Sequence, residues 1–199
     1  MQHFIKIFFF CFILFCNLFS SQKLYADKVV ASQNLVKSLY KDLVATSIKE
    51  MSVDEQETEL EQLFKKYVDI PIIARAVLGK SWRTASTVQR TLFVEAFKKY
   101  ISNKYGRQFS EFKGTKIEII KSRDTLTKAG VLVSTVVIVP GNPSLKVVWQ
   151  VSDGSGSLKL IDIRVEGISM LSTERQEFRS RLKKFDGSLG DLIIDISEQ

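Results

Sequence analysis

Two periods run along this chain and divide it. From about residue 27 to 112, apolar residues recur at steps of three and four, the period of a helix lying on a core. From about 115 to 166 the apolar positions alternate with polar ones, the period of strands wet on one face. In the first part Val29, Val36, Leu39, Tyr40, Leu43 and Val44 predict a helix that opens at Asp27 or Ala31 and runs to about Glu50. Residues 54–68 predict a second, with Leu60, Leu63, Phe64 and Tyr67 on one face. Its acids crowd the N-terminal end and its lysines the C-terminal end, as the helix dipole favours. Pro71 stands where a first-turn proline would, and Gly79 where a helix stops, which brackets a short apolar helix. Ser86 followed by Gln89 is a capping-box pattern and opens the longest helix, about 87–111.

Residues 115–121, 130–139, 144–152 and 157–166 are rich in Val, Ile, Thr and Leu. Turn signals separate them, among them Pro140-Gly141-Asn142-Pro143 and Asp153-Gly154-Ser155-Gly156. Four strands with short connections predict an antiparallel meander. A closing helical segment begins near Ser172, passes Lys184 and resumes at Ser188. The expected architecture is a single α+β domain, helices packed on one face of a curved four-stranded sheet.

The apolar faces are broad. On the long helix Phe93, Phe97, Ile101, Tyr105, Phe109 and Phe112 follow one another at steps of three and four, widened by Leu92, Ala96 and Tyr100. In the third strand Leu145, Val147, Trp149 and Val151 alternate with Lys146, Val148, Gln150 and Ser152. In the fourth, Ile161, Ile163 and Val165 alternate with Asp162, Arg164 and Glu166. The inward residues are numerous enough to enclose a cavity, and the same residues would serve a solid core.

Composition changes this picture at one end. Seven of the fourteen phenylalanines, both cysteines (Cys11 and Cys16) and the single histidine (His3) fall within the first nineteen residues. Lys6, the apolar run Ile7–Phe19 and a polar approach to Ala26 have the layout of a secretory signal peptide cleaved after Ala26. The expected division is a leader over residues 1–26 and one domain over 27–199. Removing the leader takes away Lys6 and Lys23 and no acid, so the net charge falls from +7 to about +5. A mild positive charge suits an anionic lipid surface or an acidic partner. No dense basic block points to nucleic acid.

What remains after residue 26 has no Cys and no His. That excludes a thiol nucleophile, an imidazole base, a disulfide and a Cys/His metal site. Export without cysteine points to a bacterial periplasm and to a fold held by packing. The polar constellations are weak. Asp162, Arg164 and Glu166 read as a solvated strand face, and Gly154-Ser155-Gly156 as a hairpin turn. No catalytic residue, metal site or cofactor is expected.

Three segments together resemble a known family. The first is Ile73-Ala74-Arg75-Ala76-Val77-Leu78-Gly79-Lys80-Ser81-Trp82-Arg83-Thr84-Ala85. The second holds Gln89, then Phe93-Val94-Glu95-Ala96-Phe97-Lys98-Lys99-Tyr100, and ends at Tyr105. The third runs Leu160-Ile161-Asp162-Ile163-Arg164-Val165-Glu166-Gly167-Ile168-Ser169-Met170, then Arg175 and Phe178. In order and spacing they resemble the MlaC family of periplasmic phospholipid-binding proteins, also called toluene-tolerance proteins.

The resemblance implies an NTF2-like fold with a deep apolar pocket that holds the acyl chains of a phospholipid. It implies a soluble carrier between outer and inner membranes that maintains outer-membrane lipid asymmetry. Its partners would be an inner-membrane ABC transporter with an MCE subunit and an outer-membrane lipoprotein complex, with transient membrane contact. A related branch is tied to hopanoid lipids. On the residue pattern, Phe93, Phe97, Tyr100, Ile101 and Tyr105 would line the helix side of such a pocket. Val147, Trp149, Val151, Ile161, Ile163 and Val165 would line the sheet side. Two other classes use the same architecture: an NTF2-like enzyme, which needs inward carboxylates, and a structural adaptor with a filled core.

Overall fold

A computed structural model describes residues 26–198, apart from Arg107 and Lys128 and the side chains of Phe109 and Ser110. The leader segment expected over residues 1–26 lies outside the described residues, except for Ala26. Helix α1 covers residues 26–47 and is followed by α2 (Val53–Tyr67), α3 (Ile70–Leu78), α4 (Lys80–Thr84) and α5 (Thr87–Gly106). A 3-10 turn, Phe109–Phe112, leads into the sheet. The sheet comprises β1 (Lys116–Asp124), β2 (Val131–Ile138), β3 (Leu145–Ser152), β4 (Lys159–Val165) and β5 (Ile168–Ser169). Helices α6 (Met170–Lys184) and α7 (Leu189–Ser197) close the chain.

Local chemistry sets the helix boundaries. Ser52 and Glu55 form a reciprocal capping box that starts α2 about two turns before its apolar face begins at Leu60. Asp69 caps α3 by accepting from the Ile72 amide at 3.2 Å, and Pro71 occupies its first turn. Gly79 ends α3 at φ +56°, a conformation that side-chain-bearing residues rarely adopt. The Ser86–Gln89 pair starts α5 as expected, with bonds of 3.0 and 3.2 Å. That helix stops at Gly106, short of the expected 111, and the chain tightens into the 3-10 turn.

The sheet is an antiparallel meander in the order β1-β2-β3-β4-β5. It has five strands rather than four. The extra strand is two residues long, Ile168 and Ser169 opposite Val165 and Arg164. Two residues cannot display an alternating pattern, so no period announces them. Irregularities at Ile120 in β1 and Ile161 in β4 each place an extra residue against the partner strand. Such bulges bend the strand that carries them and raise its twist.

The inner face of the sheet carries Val131, Val133, Thr135 and Val137 of β2 and Val147, Trp149 and Val151 of β3, all buried. Helix α1 lies along this face. Its Tyr40 donates to Thr115 Oγ1 at 2.6 Å and meets Trp149 edge-on at 6.5 Å. Thr135 is buried among apolar residues without cost, because it accepts from Trp149 Nε1 at 2.9 Å and donates to the Val147 carbonyl at 3.0 Å. Helix α2 packs on α5, α3 packs on α5 and α6, and α7 packs on α5 and α6.

Candidate functional site

Between the inner face of the sheet and helices α1, α2, α3 and α5 the side chains do not meet. They leave a cavity of about 910 Å³. The sheet wall is built from Val137, Val147, Trp149, Leu160, Ile163 and Val165. The helix wall is built from Leu39, Leu43, Leu60, Leu63, Phe64 and Phe97, with Ile73, Ile101 and Tyr105 completing it. Met170 and Leu171, the first residues of α6, close one side.

Among the described residues, all but one of the buried polar side-chain atoms in this wall are hydrogen-bonded; the exception is Glu174 Oε2. The Tyr40 hydroxyl bonds to Thr115, which in turn donates to the Phe112 carbonyl at 2.7 Å. Burial holds the Tyr40 hydroxyl above its ordinary pKa, against the Thr115 bond. Asp162 takes Ser169 Oγ at 2.8 Å, the Leu171 amide at 3.0 Å and Arg164 Nε at 3.2 Å. It therefore anchors the start of α6 to β4, and it is buried where the strand alternation placed it on the wet face. The reason is its cover: Asp162 stays opposite Gln150 in the register, and Arg164, Ser169 and the start of α6 close over it. Trp149 faces Ile163 and Val151 faces Leu160, so the inward series shifts by one residue along β4.

The carboxylate of Glu174, also in the wall, accepts from Tyr105 at 2.6 Å and Lys104 at 2.8 Å. Lys104 reaches on to Glu177 at 2.7 Å, Tyr100 donates to Glu177 at 2.6 Å, and Arg181 joins Glu177 to Asp195. Burial pushes the Tyr100 hydroxyl up to about 12, helped by the neighbouring Glu177 carboxylate. Burial by itself would raise Glu177, yet its bonds from Lys104, Tyr100 and Arg181 hold it at about 2. These groups pin α5, α6 and α7 together.

The exposed lining residues all lie at one end. Gln108, Glu111 and Lys113 lie in or beside the 3-10 turn, Pro140 and Asn142 belong to the β2–β3 connection, and Leu145 opens β3. This is the mouth of the cavity. Everything deeper is apolar or internally hydrogen-bonded except Glu174 Oε2, which is buried without a partner among the described residues. Two carboxylates, Asp162 and Glu174, stand in a wall that is otherwise predominantly apolar.

Of the residues expected from the sequence, Phe97, Ile101, Tyr105, Val147, Trp149, Ile161, Ile163 and Val165 line this cavity. Phe93, Tyr100 and Val151 do not, which corrects their placement. Phe93 stacks on Phe97 at 5.7 Å and meets Phe178 edge-on at 5.6 Å, inside a packed aromatic cluster. Tyr100 turns its ring to Phe178 and its hydroxyl to Glu177. Val151 sits opposite Val131 and Leu160 at the filled end of the sheet, with no exposure. The lining residues of α1, α2 and α3 were not expected there. Their apolar spacing marked them as inward, but nothing in that spacing says which inward residues face a void.

Among the described residues no helix is long and apolar enough to cross a membrane. The model of the MlaC protein family matches residues 33–197. The fold is similar to a solved structure of a phospholipid-binding protein from Ralstonia solanacearum in complex with a phospholipid. The TM-score is 0.73 at 19% identity, over 84% of this chain and 95% of that one. The family match covers most of the chain and points to a binding and transport protein, and the chain belongs to the MlaC family.

Proposed function

We propose that this protein is a soluble periplasmic carrier that encloses the two acyl chains of a phospholipid in the cavity under its sheet. The observation that supports this most is the size and lining of that cavity. At roughly 30 Å³ per small group, the share of one molecule in liquid water, 910 Å³ takes about thirty methylene-sized groups. That is the hydrocarbon of one two-tailed lipid. The likeness to a protein solved with phospholipid points the same way.

The energetics favour a carrier over diffusion. Each buried methylene contributes about 0.8 kcal/mol, so a two-tailed lipid gains on the order of 20 kcal/mol over water. It does not cross an aqueous gap unaided. A protein cavity of bilayer-like apolarity makes the transfer step nearly neutral, and docking then takes the place of catalysis. On this reading the fold is NTF2-like, and residues 1–26 are a cleaved leader. The partners are an inner-membrane ABC transporter with an MCE subunit and an outer-membrane lipoprotein complex, and the outcome is an outer membrane kept asymmetric.

Gentle native mass spectrometry of protein purified from its periplasm tests this. The expected spectrum shows the chain from Asp27 onward with one phospholipid bound, and extraction identifies the lipid class. A bare chain under the same conditions would overturn the carrier reading, and a bound hopanoid would replace the phospholipid by another lipid.

A further inference from the structure

One face of the molecule carries no negative charge. From Ile70 to Val94 the chain contains no Asp and no Glu, while Arg75, Lys80 and Arg83 stand exposed on α3 and α4. Helix α6 packs against α3. Its two carboxylates, Glu174 and Glu177, turn inward to Lys104 and Arg181. Its exposed positions therefore hold Arg175, Arg179 and Lys183, one turn apart along one side, and no acid. None of these six cations has an acidic partner among the described residues. The two helices are in close contact here. A side chain at Gly79 would bring its first carbon to 3.3 Å from the Arg175 guanidinium, so glycine lets Arg175 lie over the end of α3.

The same helices form the cavity wall on their other side. Ile73 of α3 and Met170 and Leu171 of α6 face the cavity. Helix α6 starts beside the mouth, since Ile168, two residues before it, pairs with Val165. Ile168 itself is 66% exposed.

We infer that the α3–α4–α6 face adsorbs on an anionic lipid bilayer and so brings the cavity wall against the leaflet that gives or receives lipid. This deepens the carrier reading and rests on it for its purpose, though not for its chemistry. A protein partner would need an apolar, desolvated centre to its interface. No large exposed apolar residue lies on α3, α4 or α6. A bilayer needs only lysines and arginines within about a Debye length of its phosphates, each contributing about 1 kcal/mol.

The test is sedimentation of the purified protein with vesicles of phosphatidylglycerol and phosphatidylcholine in equal parts, and with phosphatidylcholine alone. The wild-type protein should partition onto the anionic vesicles at low ionic strength and leave them at high salt. Arg175→Gln with Arg179→Gln should lower that partition on the order of thirtyfold. A charge-matched control on β1, Lys121→Gln with Arg123→Gln, should lower it several-fold less. Equal losses in both pairs would mean net charge alone drives adsorption, and would overturn the proposal. So would wild-type protein that ignores anionic vesicles, even if the same arginines bind an acidic protein. Lipid extracted from each variant keeps the two readings apart. Lipid present without adsorption sinks this inference only, whereas absent lipid sinks the carrier reading.

Discussion

The α5 helix runs through two surroundings that its sequence does not distinguish. Along one side Phe97, Ile101 and Tyr105 face the cavity. Along the other, Phe93, Phe97 and Tyr100 meet Phe178 of α6 at ring distances of 5.3 to 5.6 Å, the tight edge-on geometry of a filled core. Both surroundings are apolar and aromatic. One is hollow because the sheet stands back from the helices and no side chain spans the gap. The other is solid because Phe178 enters it, 0% exposed. An apolar stripe marks a side as dry. Whether that side is filled depends on what a distant element brings to it.

The sharpest test of the contrast uses one strand. Val147 and Val151 point the same way from β3, but only Val147 lines the cavity. Val151→Glu places a carboxylate in filled core without a partner. That costs several kcal/mol against a total stability of about 5–15. The variant is expected to unfold or fail to express, judged by circular dichroism and melting. Val147→Glu puts the same charge at a cavity that can admit water. It should remain folded with a moderate loss of stability and should lose its bound lipid, read by extraction. If both variants unfold, or if Val147→Glu keeps full lipid occupancy, the cavity does not extend to Val147.

The next largest effect is a deletion. Phe178→Ala empties the contact with Phe93, Phe97 and Tyr100 and should cost about 3–5 kcal/mol in denaturant titration. Ile163→Ala, in the cavity wall, should cost about 1–2 kcal/mol, since part of its surface already faces open space. Equal costs at the two sites would mean the wall is as tightly packed as the core.

How far the sequence reads follows from this contrast. The α2 face, the Ser86–Gln89 start of α5 and the one-sided β3 come from local period and capping, and they stand in the structure as read. Asp162 does not. Its burial depends on the turn and helix start that bring Ser169 and Leu171 onto it, which the alternation of residue types does not show. Strand β5 is missed because it is too short to have a period. Tyr100 and Phe93 are misplaced because a stripe shared by two neighbours gives no boundary between them. The role of Phe178 in filling the core is visible only once α6 is packed on α5.

Acid should act on the solid side. Glu177 titrates at about 2, against an ordinary 4.5. A carboxyl whose folded pKa is depressed lends stability above its unfolded pKa and loses it as pH falls through the folded value. The stability held by the Lys104–Glu177–Arg181 cluster should therefore decline between about pH 4.5 and 2. In Glu177→Gln the melting temperature should fall less steeply over that interval, as read by calorimetry at a series of pH values. An unchanged slope would place the acid sensitivity in other carboxylates.

The smallest effect probes whether the cavity's polar atoms serve the wall or the occupant. Tyr40 lines the cavity, but its hydroxyl is bonded to Thr115 at 2.6 Å, and Thr115 donates onward to the Phe112 carbonyl. A hydroxyl engaged in this way has nothing left to donate to a lipid. Tyr40→Phe keeps the ring and its edge-on contact with Trp149, removes one buried hydrogen bond, and leaves Thr115 with the Phe112 carbonyl as its partner. The expected cost is about 1 kcal/mol of stability, with lipid occupancy unchanged in native mass spectrometry. If occupancy falls while the melting temperature holds, the Tyr40 hydroxyl belongs to the lipid site, and the cavity selects its cargo by more than apolar volume.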